Sequence, residues 1–376
     1  MSERLRILCA IHGLSGGGAE HLMAGLASRL AARHDVTLVT LAPVELDVYP
    51  VAASVRRVGL ELTGKSRWLG EAIWANMRRL RGLRRVVRDE CPQVVIAFCD
   101  QLNTAISLSM VGLSVPLIVS EMTDPRFHPL PRMWRWIRPW AYRHATAAVA
   151  ISAASLPIVS QLHGRPARLI PPAVDHPPET IKPDLPSNGR RRLASLGRLA
   201  REKRHDWLIR AFGELAAEFP DWDLEIAGDG PMRDELRQLI LTMGLESRVR
   251  LRGRIPEIWG FLAGASAWAL TSKYEGTPVA LLEALRVGVP AIAVRSDSGL
   301  EELMVDERNG LLVEAEMKSL VVGLRRLLSD DALRLRLSVA GPATAAGYDW
   351  SAFVGRYEDL ARECVVRGRR AAVSLR

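Results

Sequence analysis

Short, continuous apolar segments alternate with amphipathic stretches along almost the whole chain, and this alternation limits the fold more than any other feature. Continuous apolar runs are typical of strands buried on both faces, and the stretches between them, such as 20–32 and 207–219, have helical periodicity. Strands that alternate with helices form parallel sheets covered by helices. The pattern therefore predicts an α/β protein with doubly wound parallel sheets.

The predicted strands fall into two groups. The first group comprises Leu5–Ile11, Val36–Leu41, Val94–Phe98, Val115–Val119 and Ala147–Ile151. The second group comprises Leu193–Leu196, Leu224–Ala227, Val249–Leu251, Ala267–Leu270, Ala291–Val294 and Leu311–Val313. The segment between the groups is rich in proline and poor in apolar residues, as interdomain linkers are. We predict an N-terminal domain over 1–175, a linker over 176–189, a C-terminal domain over 190–347, and a final helix over 348–376 that could cross back to the first domain.

Positive charge is concentrated in the first half of the chain. Residues 1–175 contain 21 Lys and Arg against 13 Asp and Glu, whereas residues 176–376 contain 30 against 29. This asymmetry indicates that the first half faces an anionic partner, either a nucleic acid or a lipid surface. No apolar run approaches the roughly 18 residues that a membrane-spanning helix needs, and the first residues lack the pattern of a signal peptide.

The cysteines indicate neither a metal site nor a disulfide framework. They are Cys9, Cys91, Cys99 and Cys364, and no two of them have C-x-x-C spacing. Such usage is typical of a reduced, cytoplasmic protein. We expect buried thiols and no bound metal or cofactor.

A glycine-rich turn follows the first predicted strand and precedes a helix. Backbone N–H groups of Gly16, Gly17 and Gly18 could approach a phosphate there, where the helix dipole favours negative charge. The pattern is not G-x-G-x-x-G, and no acidic residue ends the second strand, which disfavours a nicotinamide enzyme. A turn needed only for close packing of strand and helix is the alternative.

The segment Gly59–Ser66 matches the phosphate-loop pattern G-x-x-x-x-G-K-[ST]. The run Val94–Phe98, with Asp100 after it, resembles the strand that holds magnesium in such enzymes. However, the residues before Gly59 form a poor buried strand, and Glu61 would place a carboxylate inside the phosphate cradle. A nucleotide-hydrolysing enzyme is thus a minor alternative, as is a non-catalytic basic protein that binds membranes or nucleic acid.

Charged side chains follow the strands of the second group. Gly197 and Arg198 come directly after one strand, with Lys203 five residues beyond Arg198. An arginine and a lysine in such a loop can clamp a diphosphate, although this loop taken by itself would more often be solvated surface charge. Gly228 and Gly230 form a turn after the next strand, and parallel sheets bind ligands at this edge.

Two glutamates flank the start of a predicted helix. Glu275 precedes Gly276, Thr277 and Pro278, and a proline at the first helical position leaves the two preceding N–H groups at the positive helix end. Glu283 lies within an otherwise apolar helical pattern, so its carboxylate needs partners, which sugar hydroxyls can supply. A capping or salt-bridge role is the alternative for Glu283.

Taken together, these motifs resemble the retaining glycosyltransferases of family 4, which have the GT-B fold of two Rossmann-like domains facing a cleft. The matching segments are Gly16–Glu20, Gly197–Leu199 with Glu202 and Lys203, Gly228–Pro231, the pair Glu275 and Glu283, and Asn309–Val313. Their order along the chain makes the resemblance more specific than any single motif. The form of Ser120–Pro125 is similar to the subgroup that builds bacterial polysaccharides and lipid-linked oligosaccharides, including GalNAc-transferases.

The resemblance implies a role for each group. Glu283 would bind the ribose hydroxyls of a nucleotide-sugar, with UDP-sugar the expected donor, and Glu275 with the N–H groups that follow it would hold the sugar. Arg198 and Lys203 would neutralise the departing diphosphate without a metal. A hexose or N-acetylhexosamine would pass, with retention by a front-face path, to a glycan or polyprenyl-linked acceptor of cell-surface polysaccharide or glycolipid synthesis.

Three segments depart from the family pattern or imitate another one. Glu121 stands where many relatives have a histidine, and is a candidate contact for the acceptor or the reacting sugar. The segment Pro171–Asp175 replaces a usual Asn-Pro. The triplet Asp221–Asp223 resembles the D-x-D metal motif of another glycosyltransferase fold, but we interpret it as an exposed turn at the edge away from the ligand.

Basic, tryptophan-bearing segments in the first half favour a lipid partner. Residues 65–90 contain eight basic and three acidic side chains with Trp68 and Trp74, and residues 126–143 contain five arginines and three tryptophans without a carboxylate. Such helices suit an anionic bilayer interface. The alternative is that the tryptophans face the core, because Pro139 interrupts the helical period. Nucleic acid is not expected, since it leaves the second-half motifs without a purpose. We expect a cytoplasmic protein bound peripherally to the inner face of the membrane.

Overall fold

The computed structural model of the chain describes residues 3–64, 68–127, 130–179, 189–296 and 299–374. The chain forms two compact units, one made of Met1–Pro172 with Trp350–Arg376 and the other of Ala173–Asp349. Residues 173–175 and 348–349 thus group with the second unit, whereas the sequence interpretation gave the first three to the N-terminal domain and began the final helix at 348. Of the predicted linker, residues 180–188 lie outside the described residues.

The first unit is a parallel sheet with helices between its strands. Its strands are β1 (Arg6–Ile11), β2 (Asp35–Thr40), β3 (Arg56–Gly59), β4 (Val94–Phe98), β5 (Leu117–Glu121), β6 (Ala147–Ala150) and β7 (Arg168–Leu169). Its helices are α1 (Gly18–Leu30), α2 (Leu69–Glu90), α3 (Asp100–Ser109), α4 (Arg132–Arg143), α5 (Leu156–His163) and, from the end of the chain, α12 (Trp350–Ser374).

The order of strands in this sheet, among the described residues, is β3-β2-β1-β4-β5-β6-β7, and every pairing is parallel. The central strands are buried on both faces, which explains why their apolar runs predict them so closely. Strands β3 and β7 were not predicted from the sequence. They are short edge strands with partly exposed side chains, so they lack the apolar signal of a central strand.

Helix α12 packs on the first unit although it follows the second unit in the chain. The ring of Trp350, its first residue, lies against Gly25 of α1, where a Cβ atom would overlap it. The Arg29 guanidinium stacks over the same ring at 3.9 Å from its centroid. Further along, Glu358 of α12 is 3.2 Å from Nε2 of His34. These contacts hold the end of the chain on the first unit.

The second unit is a smaller parallel sheet of the same kind. Its strands are β8 (Arg191–Leu196), β9 (Trp222–Ala227), β10 (Val249–Gly253), β11 (Ala267–Leu270), β12 (Ala291–Val294) and β13 (Leu311–Val313). Its helices are α6 (His205–Leu215), α7 (Arg233–Thr242), α8 (Ile258–Ala263), α9 (Val279–Val287), α10 (Met317–Ser329) and α11 (Asp331–Ala345). The strand order within the described part is β10-β9-β8-β11-β12-β13.

Two hydrophobic clusters cover the two faces of this second sheet. One contains Phe212 of α6 and Leu324 of α10, and the other contains Leu262 of α8 and Leu285 of α9. Alternate residues of each strand enter the two clusters, since successive side chains of a strand point to opposite faces. The sheet is therefore enclosed on both sides, and its strand ends are the places where polar side chains gather.

Two minor expectations from the sequence are wrong. Asp221–Asp223 is not an exposed turn, because Trp222 begins β9 fully buried and Asp223 pairs with Arg190 and Arg248. The thiols are not all buried: Cys9 and Cys364 are, but Cys91 is exposed. Cys91 caps α2 in a left-handed conformation (φ 45°), which carries its side chain to the surface.

Candidate active site

Three loops meet at one edge of the second sheet. They follow β9, β8 and β11, which are consecutive in the sheet, and contain residues 228–231, 197–203 and 271–278 respectively. Because all strands are parallel, their carboxyl ends lie at the same edge. The fold thus brings together residues separated by up to 86 positions in the sequence, from Gly197 to Glu283.

Glycine is required where the first two of these loops touch. Gly228 has φ of +139°, and a Cβ atom on it would overlap the carbonyl oxygen of Gly197. A Cβ atom on Gly230 would likewise overlap the carbonyl oxygen of Leu199. Backbone hydrogen bonds close the contact, since Leu199 N–H donates to Asp229 O at 3.0 Å. The glycines predicted to bind substrate therefore have a packing role that the structure displays directly.

The loop after β8 is joined to the loop after β11 by an ion pair. Lys203 Nζ lies 2.5 Å from Glu275 Oε1, and Ser272 Oγ donates to the same oxygen at 2.6 Å. Thr271 Oγ1 donates to the backbone carbonyls of Lys203 and Arg204, both at 2.9 Å. Both charged side chains are mostly buried, so the pair is stronger than a surface salt bridge.

Arg198 is more exposed than Lys203 and pairs with a neighbour on its own loop. Its Nη2 donates to Glu202 Oε1 at 2.6 Å. Burial raises the pKa of Glu202, but hydrogen bonds from its backbone and from Arg198 oppose this, and its pKa is lowered overall. Both cations expected at the diphosphate are therefore already paired with carboxylates. An incoming diphosphate would share these cations with the carboxylates.

Glu283 lies in the second turn of α9 with 7% of its surface exposed. Burial, followed by the charge of Asp175, raises the pKa of Glu283 to about 8. No side chain or backbone group in the described part of the chain forms a hydrogen bond or ion pair with its carboxylate. The capping and salt-bridge alternatives for Glu283 are therefore not supported, and the carboxylate is available for a ligand that donates hydrogen bonds.

The helix between the two glutamates begins one residue later than the sequence predicts. Pro278 is the N-cap of α9, with an extended backbone, and the helix begins at Val279. Pro278 O accepts the first helical hydrogen bonds, from Leu281 N at 3.0 Å. Gly276 and Thr277 thus lie just before the positive end of α9, as the sequence predicts.

The glycine turn of the first unit does not offer all its N–H groups to a ligand. Gly16 and Gly17 donate to Glu20 Oε2 at 2.7 and 3.2 Å, as in a capping box. The expectation that these two groups are open to a phosphate is corrected by this contact, since a carboxylate of the chain already occupies them. Gly16 has φ of +121° and needs to be glycine, whereas Gly18 begins α1 with open space at its Cβ position.

Glu121 ends β5 in the first unit and is buried. Arg138 Nη2 and Tyr142 OH, both from α4, donate to Glu121 Oε1. Burial raises the pKa of Glu121, and Arg138 opposes that shift. The predicted strand ends at Val119, whereas β5 continues to Glu121, because partners on α4 satisfy the carboxylate at the strand end.

The structure does not support the phosphate-loop alternative. Asp100 follows β4, which β2 and β1 separate from β3, the strand that ends at Gly59. Three strand spacings amount to about 14 Å, too far for both ends to hold one magnesium ion. Lys65 and Ser66 lie outside the described residues. Within the part of the chain that is described, no group of three His, Cys, Asp or Glu side chains could hold a metal ion.

Several residues at the site were not singled out as functional from the sequence. Glu202, Ser272 and Asp175 contact or influence Arg198, Glu275 and Glu283 respectively. Glu202 belongs to a motif recognised in the sequence, so that motif could have indicated it. Ser272 lies only three residues before Glu275, but no motif of the sequence marks it. Asp175 carries no local signal, because it acts on Glu283, which is distant in the chain.

Two family models match this chain. "Glycosyl transferases group 1" matches residues 178–344, and "Glycosyl transferase 4-like domain" matches residues 17–173. Each match covers less than half of the chain, but together they span most of it and include all of the candidate site residues except Gly16.

Curated relatives carry glycosyltransferase names. A Campylobacter jejuni protein named "GalNAc-alpha-(1->4)-GalNAc-alpha-(1->3)-diNAcBac-PP-undecaprenol alpha-1,4-N-acetyl-D-galactosaminyltransferase" is 26% identical over 335 residues, 89% of this chain and 91% of the relative. The Rhizobium meliloti "Lipopolysaccharide core biosynthesis glycosyltransferase LpsD" is 34% identical over 170 residues, but this alignment covers 45% of this chain and 48% of LpsD.

Solved structures share the fold over nearly the whole chain. Sucrose-phosphate synthase of Thermosynechococcus elongatus superposes with a TM-score of 0.84 at 17% identity, covering 97% of this chain and 100% of the other. Anabaena HepE in complex with UDP-glucose superposes with a TM-score of 0.76 at 20% identity, covering 96% of this chain and 100% of the other.

Proposed function

This chain belongs to the glycosyltransferases of the GT-B fold, and we propose that it is a retaining enzyme that transfers a hexose or N-acetylhexosamine from a UDP-sugar. The acceptor is a glycan or a polyprenyl-linked saccharide of cell-surface polysaccharide or glycolipid synthesis. The names of the C. jejuni relative and of LpsD support this acceptor class, and the UDP-glucose complex of HepE supports the donor class.

One observation carries the proposal: Arg198, Lys203, Glu275 and Glu283 belong to loops and a helix start at one edge of the second sheet. A nucleotide-sugar has a ribose, a diphosphate and a sugar in a row, and it needs hydroxyl acceptors at both ends with cations between them. The four side chains supply two carboxylates and two cations from neighbouring segments at this edge. A nucleic acid or a simple anion would not require two carboxylates beside the cations.

In this proposal the two glutamates accept hydrogen bonds from hydroxyl groups. Glu283 binds the ribose hydroxyls, and its lack of a hydrogen-bond partner among the described residues leaves its oxygens available. Glu275, whose Oε1 is held by Lys203 and Ser272, binds the hydroxyls of the donor sugar. Gly276 and Thr277 place backbone N–H groups beside the same sugar, at the positive end of α9.

Negative charge grows on the diphosphate as the bond to the sugar breaks. Lys203 and Arg198 neutralise this charge, and because they are held by carboxylates before the reaction they need little reorganisation. Two preplaced cations supply the charge compensation that a divalent ion would otherwise provide, which supports a metal-independent reaction. The leaving phosphate accepts the proton of the attacking acceptor hydroxyl on the same face of the sugar, so the anomeric configuration is retained.

The test is donor binding and turnover in matched variants. Glu283→Ala should abolish binding of UDP-glucose or UDP-GalNAc in calorimetry, whereas Glu275→Ala should reduce turnover at least as strongly as binding. Glu218→Gln is the control, because Glu218 pairs with Arg325 at 2.9 Å after α6, at the opposite edge of the sheet. Wild-type binding in Glu283→Ala together with wild-type turnover in Glu275→Ala would refute the assignment. Turnover that survives EDTA would support metal independence.

We further propose that the first unit docks on an anionic membrane through α2 and α4. Most tryptophans in or next to these helices are exposed: Trp136 is 81% exposed and Trp68 is 69% exposed, and Trp74 and Trp140 are also exposed. The alternative that the tryptophans face the core holds only for Trp134, which is partly buried against the hydrophobic cluster of the first unit. Helix α4 runs through Pro139 and contains four arginines without an acidic residue. In the described residues no helix is long and apolar enough to cross a membrane.

Both helices begin near the carboxyl ends of strands of the first sheet. Helix α2 follows β3 and α4 follows β5, so the first turns of both are near the carboxyl ends of the strands. Helix α3 packs between them on the same face. A bilayer bound here would bring lipid-linked acceptors to that edge. Because anionic lipids concentrate in the cytoplasmic leaflet, we place the protein on the inner face of the membrane.

Vesicle flotation tests this surface. The wild type should bind phosphatidylglycerol vesicles at low salt and not phosphatidylcholine vesicles, and the double variant Trp136→Ser, Trp140→Ser should lose most of the binding. The control is Leu335→Ser with Val339→Ser, an exposed apolar pair at the same spacing on α11 of the second unit. Equal binding by both double variants would exclude α4 as the membrane contact.

A further inference from the structure

A network of charged and polar side chains is buried beneath α4 in the first unit. Glu121 is 1% exposed, and its Oε1 accepts hydrogen bonds from Arg138 and Tyr142. The Tyr142 hydroxyl in turn accepts a hydrogen bond from Asn103 Nδ2 at 3.1 Å. The same Nδ2 donates to Ser120 O at 2.8 Å, which ties α3 to β5.

One oxygen of this network is not used by the protein. Glu121 Oε2 is buried, yet no donor in the described part of the chain reaches it. A buried carboxylate oxygen without a hydrogen bond is costly, and such atoms normally have a partner. Asp100, at the start of α3, also acts electrostatically on Glu121, so Arg138 faces two acids here. The surroundings thus favour a ligand that donates a hydrogen bond and adds no negative charge.

We propose that Arg138 and Tyr142 are positioning residues, which hold Glu121 through Oε1 and so direct Oε2 to a hydroxyl group of the substrate sugar. This inference rests on the proposed function and on the expectation from the sequence that Glu121 meets the acceptor or the reacting sugar. A sugar hydroxyl is the appropriate ligand, because it donates one hydrogen bond to a carboxylate and carries no charge.

The two positioning residues lie on the face of α4 opposite to the exposed tryptophans. Arg138 and Tyr142 are four residues apart and both are buried, whereas Trp136 and Trp140, also four apart, are exposed. Residues with this spacing share one face of a helix. One helix therefore presents exposed aromatic rings on its outer face and holds the Glu121 carboxylate on its inner face.

The ionisation of Glu121 depends on groups from two helices and the strand end between them. Burial raises the pKa of Glu121, Arg138 lowers it, Asp100 raises it, and the hydrogen bond from Tyr142 lowers it. The thiol of Cys99 lies in the same electrostatic environment. Removal of the Tyr142 hydroxyl takes away a hydrogen bond that favours the carboxylate, so the pKa of Glu121 should rise further.

The experiment compares two buried tyrosines near the same strand. Tyr142→Phe removes a donor to Glu121, whereas Tyr357→Phe removes an equivalent hydroxyl that donates to the neutral Ser120 Oγ at 3.0 Å. Full-length protein is assayed with a UDP-sugar shown to bind by calorimetry and with a short prenyl-diphosphate-linked N-acetylhexosamine. Tyr142→Phe should lower kcat about tenfold, which corresponds to a loss of about 1.4 kcal/mol, and should leave KM for the donor unchanged. The acidic limb of the kcat–pH profile of this variant should move to higher pH by about one unit.

Tyr357→Phe should change neither kcat nor the acidic limb of the kcat–pH profile, although it should lower the stability of the protein. A conservative substitution gives a second test. The kcat–pH profile of Arg138→Lys should stay nearer to the wild type than the profile of Arg138→Gln does. If Tyr142→Phe and Tyr357→Phe have the same kcat and the same pH profile, the positioning role is overturned while the proposed transferase reaction stands.

A readout without turnover separates this inference from the proposed function. Protein labelled with carbon-13 at the glutamate carboxyl groups is titrated by NMR, and the Glu121 signal is identified by its loss in Glu121→Gln. In Tyr142→Phe the midpoint of Glu121 should move to higher pH, and in Tyr357→Phe it should not. An unmoved midpoint in Tyr142→Phe overturns the proposal, whether or not transfer is detected. Failure of every UDP-sugar to bind would instead reject the proposed function.

Discussion

Lys203 Nζ lies 2.5 Å from Glu275 Oε1, so the lysine at the expected diphosphate position and the carboxylate at the expected sugar position form one ion pair. The pair connects the loop after β8 to the loop after β11, which are neighbours in the sheet. Ser272 Oγ binds the same carboxylate oxygen. Because both side chains are fixed before a donor binds, little reorganisation is needed during the reaction.

Loss of the lysine should therefore affect turnover strongly. We expect Lys203→Ala to lower kcat by about 10²-fold, as removal of one preplaced group that stabilises developing charge does in other enzymes. Lys203→Arg should recover part of the rate, since the charge is kept but the geometry changes. Lys318→Ala, an exposed lysine on α10 after the distant edge strand β13, is the control. Initial rates at saturating UDP-sugar measure the effect, and equal rates for Lys203→Ala and the control would contradict it.

Donor binding should depend on pH through Glu283. Burial and the charge of Asp175 raise the pKa of this carboxyl to about 8. An ionised carboxylate accepts hydrogen bonds from both ribose hydroxyls, whereas the protonated form has lost part of this capacity. The Kd for UDP should thus fall as pH rises towards about 8 and level off above it, with release of a proton on binding.

Calorimetry in buffers of different ionisation enthalpy detects the released proton. In Asp175→Asn a negative charge that acts on Glu283 is removed, so the pKa of Glu283 should fall. The pH dependence of the Kd for UDP should then shift to lower pH. A Kd that does not vary between pH 6 and about pH 8 would show that Glu283 is not the ribose ligand.

Gly228→Ala should both destabilise the protein and impair donor binding. The backbone there has φ of +139°, and the added Cβ atom would overlap Gly197 O, so the loop with Arg198 has to move. We expect a loss of about 2–4 kcal/mol in the free energy of unfolding, from overpacking together with backbone strain. Gly244→Ala is the control for strain alone, since Gly244 has φ of +64° and open space around it. Denaturant unfolding measures the free energy of unfolding that each variant loses. Equal losses in Gly228→Ala and Gly244→Ala would show that the overlap with Gly197 O adds no cost.

Gly25→Ala should weaken the attachment of α12 to the first unit. The new Cβ atom would overlap the ring of Trp350, and a comparable overpacking costs about 1–3 kcal/mol. In contrast, Gly355→Ala within α12 meets no atom within 4 Å and should stabilise the protein by about 0.5–1 kcal/mol, because alanine favours the helix. Thermal unfolding should give opposite shifts for the two variants. Shifts of the same sign would mean that Trp350 does not pack on Gly25 in solution.

The sequence alone predicted the parallel α/β architecture and most central strands, because strands buried on both faces must be continuously apolar. Val94–Phe98, Ala267–Leu270 and Ala291–Val294 have the predicted bounds. The edge strands β3 and β7 escaped prediction, since a strand paired on one side and partly exposed needs no such run. The order of motifs also indicated the glycosyltransferase family, which the family models confirm.

Only the tertiary structure decided which charged groups meet. Glu275 has its lysine 72 residues away, and Glu121 has its partners 17 and 21 residues away on a helix. The occupation of the Gly16 and Gly17 N–H groups by Glu20, and the burial that raises the pKa of Glu283, were likewise not visible in the local sequence. Hydrophobic periodicity is a local property of the chain, whereas electrostatic pairing and burial depend on distances that exist only after the strands have been ordered in the sheet.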